Sequence, residues 1–466
     1  MRPEDAAAAA LAAILPAMTP AAASTRASAR GPAGDSATAP ADQRLRDFFR
    51  AHPALGKRDR AQVADWVFDV LRNLRLYREV ALRGPVGAGR AADAPFEAGA
   101  GDLIEVARAA AGQLPGASST GRLDRERIAE IASTLPDAVR FSLPDWFWEC
   151  LRQAHGDRAP AIAQSLLQAS PIDLRVNLLR GKADALRQQL AERGIEATPI
   201  EGVPTGLRVA GRPNLEKLDL FERGWFEVQD AGSQRIVDVC DVRRGQLVID
   251  FCAGAGGKTL AMAARMRNTG KVLAFDTGEE RLSRLMPRAR RAGVDIVTTL
   301  RISGSGDPRL ARYQRRADVV LVDAPCSGTG TLRRSPDIKW RLSPARLALH
   351  VQEQQGILAA ASALVKPGGR LVYATCSLLR EENQQQVDRF TAAAAGTADE
   401  WREVSGGEPR EELGGVPAGR RVPAGPAGFG PARVEHWLPD GGGASGFFVA
   451  KWLLGALQTP SPGTIQ

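Results

Sequence analysis

The stretches V-L-V-D-A-P-C-S-G-T-G (320–330) and G-G-R-L-V-Y-A-T-C-S (368–377) decide how this chain folds. Each opens on a short apolar run that reads as a buried strand, and each run stops just before a cysteine, Cys326 in the first and Cys376 in the second. Between them A-R-L-A-L-H-V-Q-E-Q-Q-G-I-L-A-A-A-S-A-L-V (345–365) has the spacing of one helix. Strand, helix, strand is a crossover unit, so the two strands run parallel and are expected to be neighbours, roughly 4.8 Å apart. Two thiols would then face one small ligand from the carboxyl edge of a sheet, which is where such sheets bind ligands.

Working outward, the pattern is α/β from residue 247 onward. Strands are expected at 247–251, 271–275, 294–300, 318–323, 370–375 and 446–454, with helices between most of them, which fits a doubly wound parallel sheet. In L-V-I-D-F-C-A-G-A-G-G-K-T (247–259) the first strand runs into a glycine turn and then a helix. Gly254, Gly256 and Gly257 allow close backbone approach and positive φ, and the helix beyond offers free N–H groups. Asp276 ends the next strand, where an acidic residue accepts hydrogen bonds from a ribose hydroxyl pair. A P-loop requires glycine at the position of Cys252, and a dinucleotide fingerprint requires it at Thr259, so both fail. An adenosine-type ligand without a phosphate cradle remains, against the plain alternative of a tight strand–helix turn.

Upstream, residues 44–82 are helical in pattern, with Asp59 as a candidate cap for a helix beginning near Arg60, and helices follow at 102–114, 123–133 and 144–169. The reading is a helical domain over 1–165, in which 19–43 is a flexible connector and 84–101 a loop. A small α+β domain covers 166–245, with strands at 172–178, near 206–210 and near 225–229 and a helix at 182–193. The sheet domain covers 246–455 and includes a long loop at 405–433, and a disordered tail occupies 456–466. The opening M-R-P-E-D-A-A-A-A-A-L carries acids where a leader needs positive charge and reads as a helix starting at Pro3.

The formal charge is +9, and residues 281–316 hold ten arginines and no lysine. Arginine suits bidentate phosphate contacts, although a solvated face enriched in arginine reads the same way. Arg333, Arg334, Lys339, Trp340 and Arg341 form a second basic segment, in which Trp340 is either a stacking platform or a core residue. The five cysteines (150, 240, 252, 326, 376) include no C-x-x-C pair and the four histidines are scattered, so neither a disulfide framework nor a metal site is expected. Reduced thiols point to the cytosol, and no apolar run reaches the ~20 residues of a membrane span.

Taken together, C-A-G-A-G-G-K (252–258), Asp276, D-A-P-C-S-G-T-G (323–330) with R-R-S-P-D-I-K-W (333–340), and A-T-C-S (374–377) resemble the RsmB-type (Sun/Fmu) RNA cytosine-C5 methyltransferases. F-E-R-G-W-F-E-V-Q-D-A-G-S-Q (221–234) resembles the segment leading into that family's catalytic domain, and A-L-G-K-R-D-R (54–60) its NusB-like helical RNA-binding domain. The resemblance implies a Rossmann-like methyltransferase sheet. It implies that Cys252, Ala253, Gly254, Ala255, Gly256, Gly257, Lys258, Asp276 and Asp323 bind S-adenosyl-L-methionine. Asp323 would sit between cofactor and base, Cys376 would be the nucleophile, and Cys326 would help release the product. The implied substrate is RNA, ribosomal in the RsmB proteins, handled by a cytoplasmic monomer. Two positions depart from the family: Ala255 stands where proline is usual, and L-R-I-S-G-S-G-D (300–307) lacks the usual strand-end acid, with Asp307 too late to replace it.

The chemistry explains the pair of thiols. Carbon 5 of cytosine is a poor nucleophile until a thiolate adds at carbon 6, and the adduct must afterwards be broken. One thiol attacks and a second group assists elimination. Lys258 and nearby arginines are candidates for stabilising the thiolate. Two other readings use the same residues: a DNA cytosine-C5 methyltransferase with Cys326 as nucleophile, and a non-catalytic RNA-binding assembly factor. A nicotinamide dehydrogenase is disfavoured by the incomplete glycine fingerprint.

Overall fold

The computed structural model describes residues 1–18, 39–83, 98–113, 123–394, 429, 432–439 and 445–455. Most of the expected connector 19–43, of the loops 84–101 and 405–433, and the tail 456–466 lie outside the described residues. The chain forms two units, one of Met1–Ala169 with Gly328–Arg346 and one of Ser170–Ser327 with Leu347–Gln466.

The second unit carries two sheets. Its small sheet holds β1 (Ile172–Val176), β2 (Ala197–Ile200), β3 (Val203–Val209) and β4 (Phe226–Val228) in the order β2-β3-β1-β4, all antiparallel. Helix Ala183–Ala191 contributes Leu186 and Leu190 to a core with Leu174, Val176, Leu207 and Phe226. Strand β2 was not expected: its A-T-P-I contains a proline and two exposed residues, so alternation is weak.

The large sheet holds β5 (Leu247–Asp250), β6 (Lys271–Asp276), β7 (Val297–Arg301), β8 (Ala317–Asp323), β9 (Val365–Thr375), β10 (Arg433–Trp437) and β11 (Phe447–Leu453) in the order β10-β11-β9-β8-β5-β6-β7. Strands β9, β8, β5, β6 and β7 are parallel. Alternation assigns each side chain to a face. Ile249, Leu273, Phe275, Val320, Val322, Leu371 and Tyr373 enter one core, while Val248, Val272, Ala274, Val319, Leu321, Val372 and Ala374 enter the other. Burial on both faces is why these strands read as continuous apolar runs.

The sheet is parallel except at one edge, where β11 pairs antiparallel with β9 and β10 antiparallel with β11. β10 and β11 are consecutive and pair with each other, so β11 enters the sheet against the grain of its neighbours. β10 was not expected, since R-V-E-H-W is half polar. It is the outermost strand among the described residues, and its charged Arg433 and Glu435 suit an edge that must not recruit another chain.

In the first unit, helices Pro3–Ile14, Ala41–Ala51, Lys57–Arg83, Ala100–Ala110 and Arg125–Ser133 surround a core that includes Ala7, Leu11, Val63, Val67, Val70, Leu71 and Leu103. The expected helix 44–82 is broken at 52–56, which contains Pro53 and Gly56, and the second piece begins at Lys57, so Asp59 lies inside the first turn and not at the cap. Helices Asp145–His155 and Ala159–Leu166 also belong here. So do Gly328–Arg346, residues within the stretch expected to form the sheet domain. Trp340 settles as a core residue: it is 8% exposed and its Nε1 donates to the Leu71 carbonyl at 2.7 Å. Lys339 is buried beside it and donates to the Arg72 carbonyl at 2.7 Å; burial, with Arg72 adding to it, pushes its ammonium well below the usual lysine range.

Candidate functional site

Register explains how the two cysteines meet. In the parallel pair β8–β9, Asp323 lies opposite Ala374. Cys326 is three residues beyond the first and Cys376 two beyond the second, so both emerge at the same carboxyl edge. Their Sγ atoms are 3.4 Å apart, neither is in a disulfide, and both residues are partly exposed. The chain leaves β5 toward β6 on one side and β8 toward β9 on the other, so the crevice between β5 and β8 is the topological switch point of the sheet. Lys258, just after the glycine turn of β5, spans that point and pairs with Asp323 Oδ2 at 2.6 Å. Burial, the largest single influence on Lys258, lowers its proton affinity. The charge and hydrogen bond of Asp323, with Cys376 and Asp250 behind them, more than offset this and hold the ammonium above its ordinary value.

The glycine turn is braced from outside. Gly254 and Gly256 have φ of +55° and +86°, and helix Gly257–Arg265 follows. Arg288 donates to the Ala255 carbonyl and Arg175 to the Gly257 carbonyl, each at 2.6 Å. Arg288 and Arg291 converge on buried Glu227. Arg175 is itself buried, which pulls its guanidinium down to about 10 against the opposing charge of Glu227. None of these was singled out from the sequence. Arg175 is one polar position in an otherwise alternating strand, and Glu227 sits inside the segment F-E-R-G-W-F-E-V-Q-D, so inward-facing charge in a strand was the available signal.

Asp276 closes β6. Its carboxylate accepts from Gly254 N at 2.8 Å, Gly278 N at 2.7 Å and Arg281 at 2.8 Å. It therefore fixes the turn. Asp250, at the end of β5, is 1% exposed and accepts from Thr259 Oγ1 at 2.7 Å; burial pushes its carboxyl up to about 7. Cys252 is raised well above the usual thiol range, also by burial, so it has the character of an inert thiol.

Three features fit an adenosine-type cofactor at this turn. A side chain built on Gly254 would meet nothing within 4 Å, whereas one on Gly256 would strike Leu285. Asp250 Oδ1 and Gln229 Oε1 are buried without a hydrogen-bond partner. Gln229 lies against Gly257, 3.3 Å from where its Cβ would stand.

Asp307 is committed to its own loop. Its carboxylate accepts from Ser303 N at 2.8 Å and Arg309 N at 2.9 Å and pairs with the Arg309 guanidinium. Those bonds, Arg309 first, hold it far below the usual carboxylate range. The arginine-rich stretch is likewise more structural than its composition suggests: Arg281, Arg284, Arg288, Arg291, Arg301 and Arg309 all pair with carboxylates.

The family described as 16S rRNA methyltransferase RsmB/F matches residues 237–453, and the ferredoxin-like domain of RsmF/B-like methyltransferases matches residues 143–216. A probable ribosomal RNA small subunit methyltransferase B of Synechocystis sp. is 36% identical over 58% of this chain and 59% of its own length. Ribosomal RNA small subunit methyltransferase B of Yersinia enterocolitica is 37% identical over 58% of this chain and 62% of its own. The alignments thus span about three fifths of these relatives. Among solved structures, that of PH0851 aligns over 97% of this chain and 99% of its own with a TM-score of 0.67 at 24% identity, a likeness of fold. A methyltransferase homolog from Pyrococcus horikoshii covers 69% of this chain and 98% of its own with a TM-score of 0.54 at 26% identity. No helix among the described residues is long and apolar enough to cross a membrane. Over residues 143–216 and 237–453, this chain matches the RsmB/F methyltransferase family.

Proposed function

We propose that this protein methylates carbon 5 of a cytosine in small-subunit ribosomal RNA, using S-adenosyl-L-methionine and a covalent adduct of Cys376. The observation that carries the reading is the 3.4 Å approach of Cys326 and Cys376 at the carboxyl edge of adjacent parallel strands, next to the Lys258–Asp323 pair. The names of the family and its relatives support the RNA substrate.

Residues 252–258 and Asp276 would hold the cofactor, which would supply a methyl group from its sulfonium and be left as a neutral thioether. Cys376 adds as thiolate to carbon 6 and makes carbon 5 nucleophilic enough to take that methyl. The Cys376 sulfur is among the groups that hold the Lys258 ammonium, so Lys258 is the cation we assign beside the attacking sulfur. Asp323, with Oδ2 held by Lys258, leaves Oδ1 to accept from the exocyclic amine of cytosine. Cys326, acting as a thiolate, then takes the proton from carbon 5 and becomes a thiol. The electrons of that C–H bond restore the ring double bond, the C6–S bond breaks, and its electron pair returns to Cys376. The base must come from a single strand or leave its stack to reach these thiols, and the setting for such work on ribosomal RNA is the cytoplasm.

Cys376→Ser and Cys326→Ser variants, given ribosomal RNA and labelled cofactor, test the reading. Cys376→Ser is expected to lose both methyl transfer and adduct. Cys326→Ser is expected to accumulate a protein–RNA species on denaturing gels. Full methylation by Cys376→Ser would overturn the assignment and transfer the nucleophile to Cys326. Bisulfite sequencing of RNA from a deletion strain identifies the base.

A further inference from the structure

Register brings the two cysteine loops to one edge, but it does not fix their sulfurs, because both residues lie beyond the last paired residues of β8 and β9. A buried polar cluster behind them does. Glu382 is fully buried, and its Oε1 accepts from the backbone N of Ser327, the residue after Cys326, at 2.8 Å. Its Oε2 accepts from the Ser327 hydroxyl. The next residue, Asn383, grips the other loop: its Nδ2 donates to the Ser377 carbonyl at 2.9 Å and its Oδ1 accepts from Thr375 Oγ1 at 2.6 Å, so both neighbours of Cys376 are held. The hydroxyls of Ser327 and Ser377 join the loops directly at 3.1 Å. Gln354, from helix Pro344–Ser362, completes the clamp by donating to Pro325 O at 2.9 Å and to Glu382 Oε1 at 3.0 Å. Tyr373 of β9 ties the Glu382 carbonyl to the sheet at 2.7 Å.

A buried carboxylate costs several kcal/mol unless it is fully hydrogen-bonded. The bonds that Glu382 accepts come from Ser327, the residue following Cys326, and from Gln354, which also holds Pro325. We propose that the dipeptide Glu382–Asn383 is a positioning device that sets the distance between the two thiols: Glu382 holds Cys326 and Asn383 holds Cys376. The inference rests on the two-thiol reading above and adds a division of labour to it. Loosening Cys326 through Glu382 impairs adduct breakdown, whereas loosening Cys376 through Asn383 impairs adduct formation. A displacement of about 1 Å at a reacting group costs on the order of 100-fold in rate.

The test uses the full chain with Glu382→Gln and Asn383→Ala. Glu382→Gln preserves shape but, with its oxygen at the Oε1 position, places an amide donor where Oε2 accepts from the Ser327 hydroxyl. With RNA and cofactor, Glu382→Gln is expected to accumulate covalent protein–RNA species roughly 10-fold or more above wild type while turnover falls, and Asn383→Ala to lower both adduct and turnover roughly 10–100-fold. A purely structural role would lower the two together in both variants. A second readout needs neither RNA nor cofactor. Phenylarsine oxide condenses with two neighbouring thiols, forming two As–S bonds and releasing one water, and its affinity for the Cys326–Cys376 pair should fall roughly 10-fold or more in each variant. Should Glu382→Gln fail to fold, Ser327→Ala, which removes only the hydroxyl on the clamp, takes its place with the same expected direction. Wild-type arsenical affinity together with unchanged adduct levels in a folded variant overturns the proposal. A wild-type chain that forms no adduct and transfers no methyl overturns the methyltransferase reading instead, and the arsenical comparison still decides whether the clamp sets the thiol separation.

Discussion

Gly254 and Gly256 lie two residues apart in one turn, and adding a single methyl group to each should have opposite consequences. At Gly256, φ is +86° and a Cβ would stand 2.4 Å from Leu285 Cγ and 2.8 Å from its Cδ1. Leu285 is fully buried, so it cannot swing clear. Gly256→Ala therefore carries a left-handed backbone penalty of ~1–2 kcal/mol. It adds an overpacking cost of ~1–3 kcal/mol, for a total of ~2–5 kcal/mol. At Gly254, φ is +55° and nothing lies within 4 Å, so only the backbone penalty applies. The new methyl there would occupy the space assigned to the cofactor. Urea unfolding of both variants, with calorimetric titration of S-adenosyl-L-methionine, measures the two effects. Gly256→Ala is expected to lose most of its stability margin. Gly254→Ala should stay within ~2 kcal/mol of wild type yet bind cofactor at least ~10-fold more weakly, a loss of ~1.4 kcal/mol in affinity. Equal destabilisation by the two, or unchanged cofactor affinity in Gly254→Ala, refutes the assignment of the open side of the turn.

Two further outcomes follow from buried charge. Because Asp250 is raised to about 7 in the folded protein, the native state retains a proton between pH ~4 and ~7 that the unfolded chain has released. Its contribution is thus fully present below the unfolded carboxyl pKa and lost as pH rises through about 7. Asp250→Asn removes this dependence, so the stability of wild type relative to the variant should fall by a few kcal/mol (~1.4 per pH unit) from pH 4.5 to 7.5 in urea titrations, and parallel curves would refute it. Glu227→Gln leaves the Arg288 and Arg291 guanidiniums without their carboxylate in a buried setting, which should cost ~3–5 kcal/mol in thermal or urea unfolding. A loss below ~1 kcal/mol would mean that the trio is solvated in practice.

Much of the fold was legible because strands buried on both faces leave continuous apolar runs. Four of the five parallel strands announced themselves that way, β7 (V-T-T-L-R) being half polar, and the crossover between β8 and β9 followed from one helix-length spacer. The edge was less legible: β10 is a half-polar strand whose place depends on pairing with β11, and no local pattern encodes that. At the site, the residues with chemical signatures, Cys326, Cys376, Asp323, Lys258 and the glycine turn, stand together as their spacing suggested. The supporting groups did not stand out. Arg175 and Glu227 look like solvated charges until strand pairing turns them inward, and Glu382, in S-L-L-R-E-E-N (377–383), looks like an ordinary loop acid. Conversely, Trp340 and Lys339 advertised nucleic-acid contact by composition but are buried among the first-unit helices, because an indole and an aliphatic stem carry as much apolar surface as polar signal.

The helical unit, finally, is assembled from two stretches of chain, and the second arrives late. Trp340 fills part of its core against Leu71, yet 158 residues (170–327) separate Ala169 from Gly328. At a synthesis rate of about 5–20 residues per second, a nascent chain would wait roughly 10–30 s between finishing Ala169 and supplying Arg346. For that interval the slot at Leu71 lies open. The N-terminal helices must therefore await the translation of most of the large sheet before they are complete, so a fragment ending at Ala169 would keep an apolar gap that chaperones or other nascent chains could occupy.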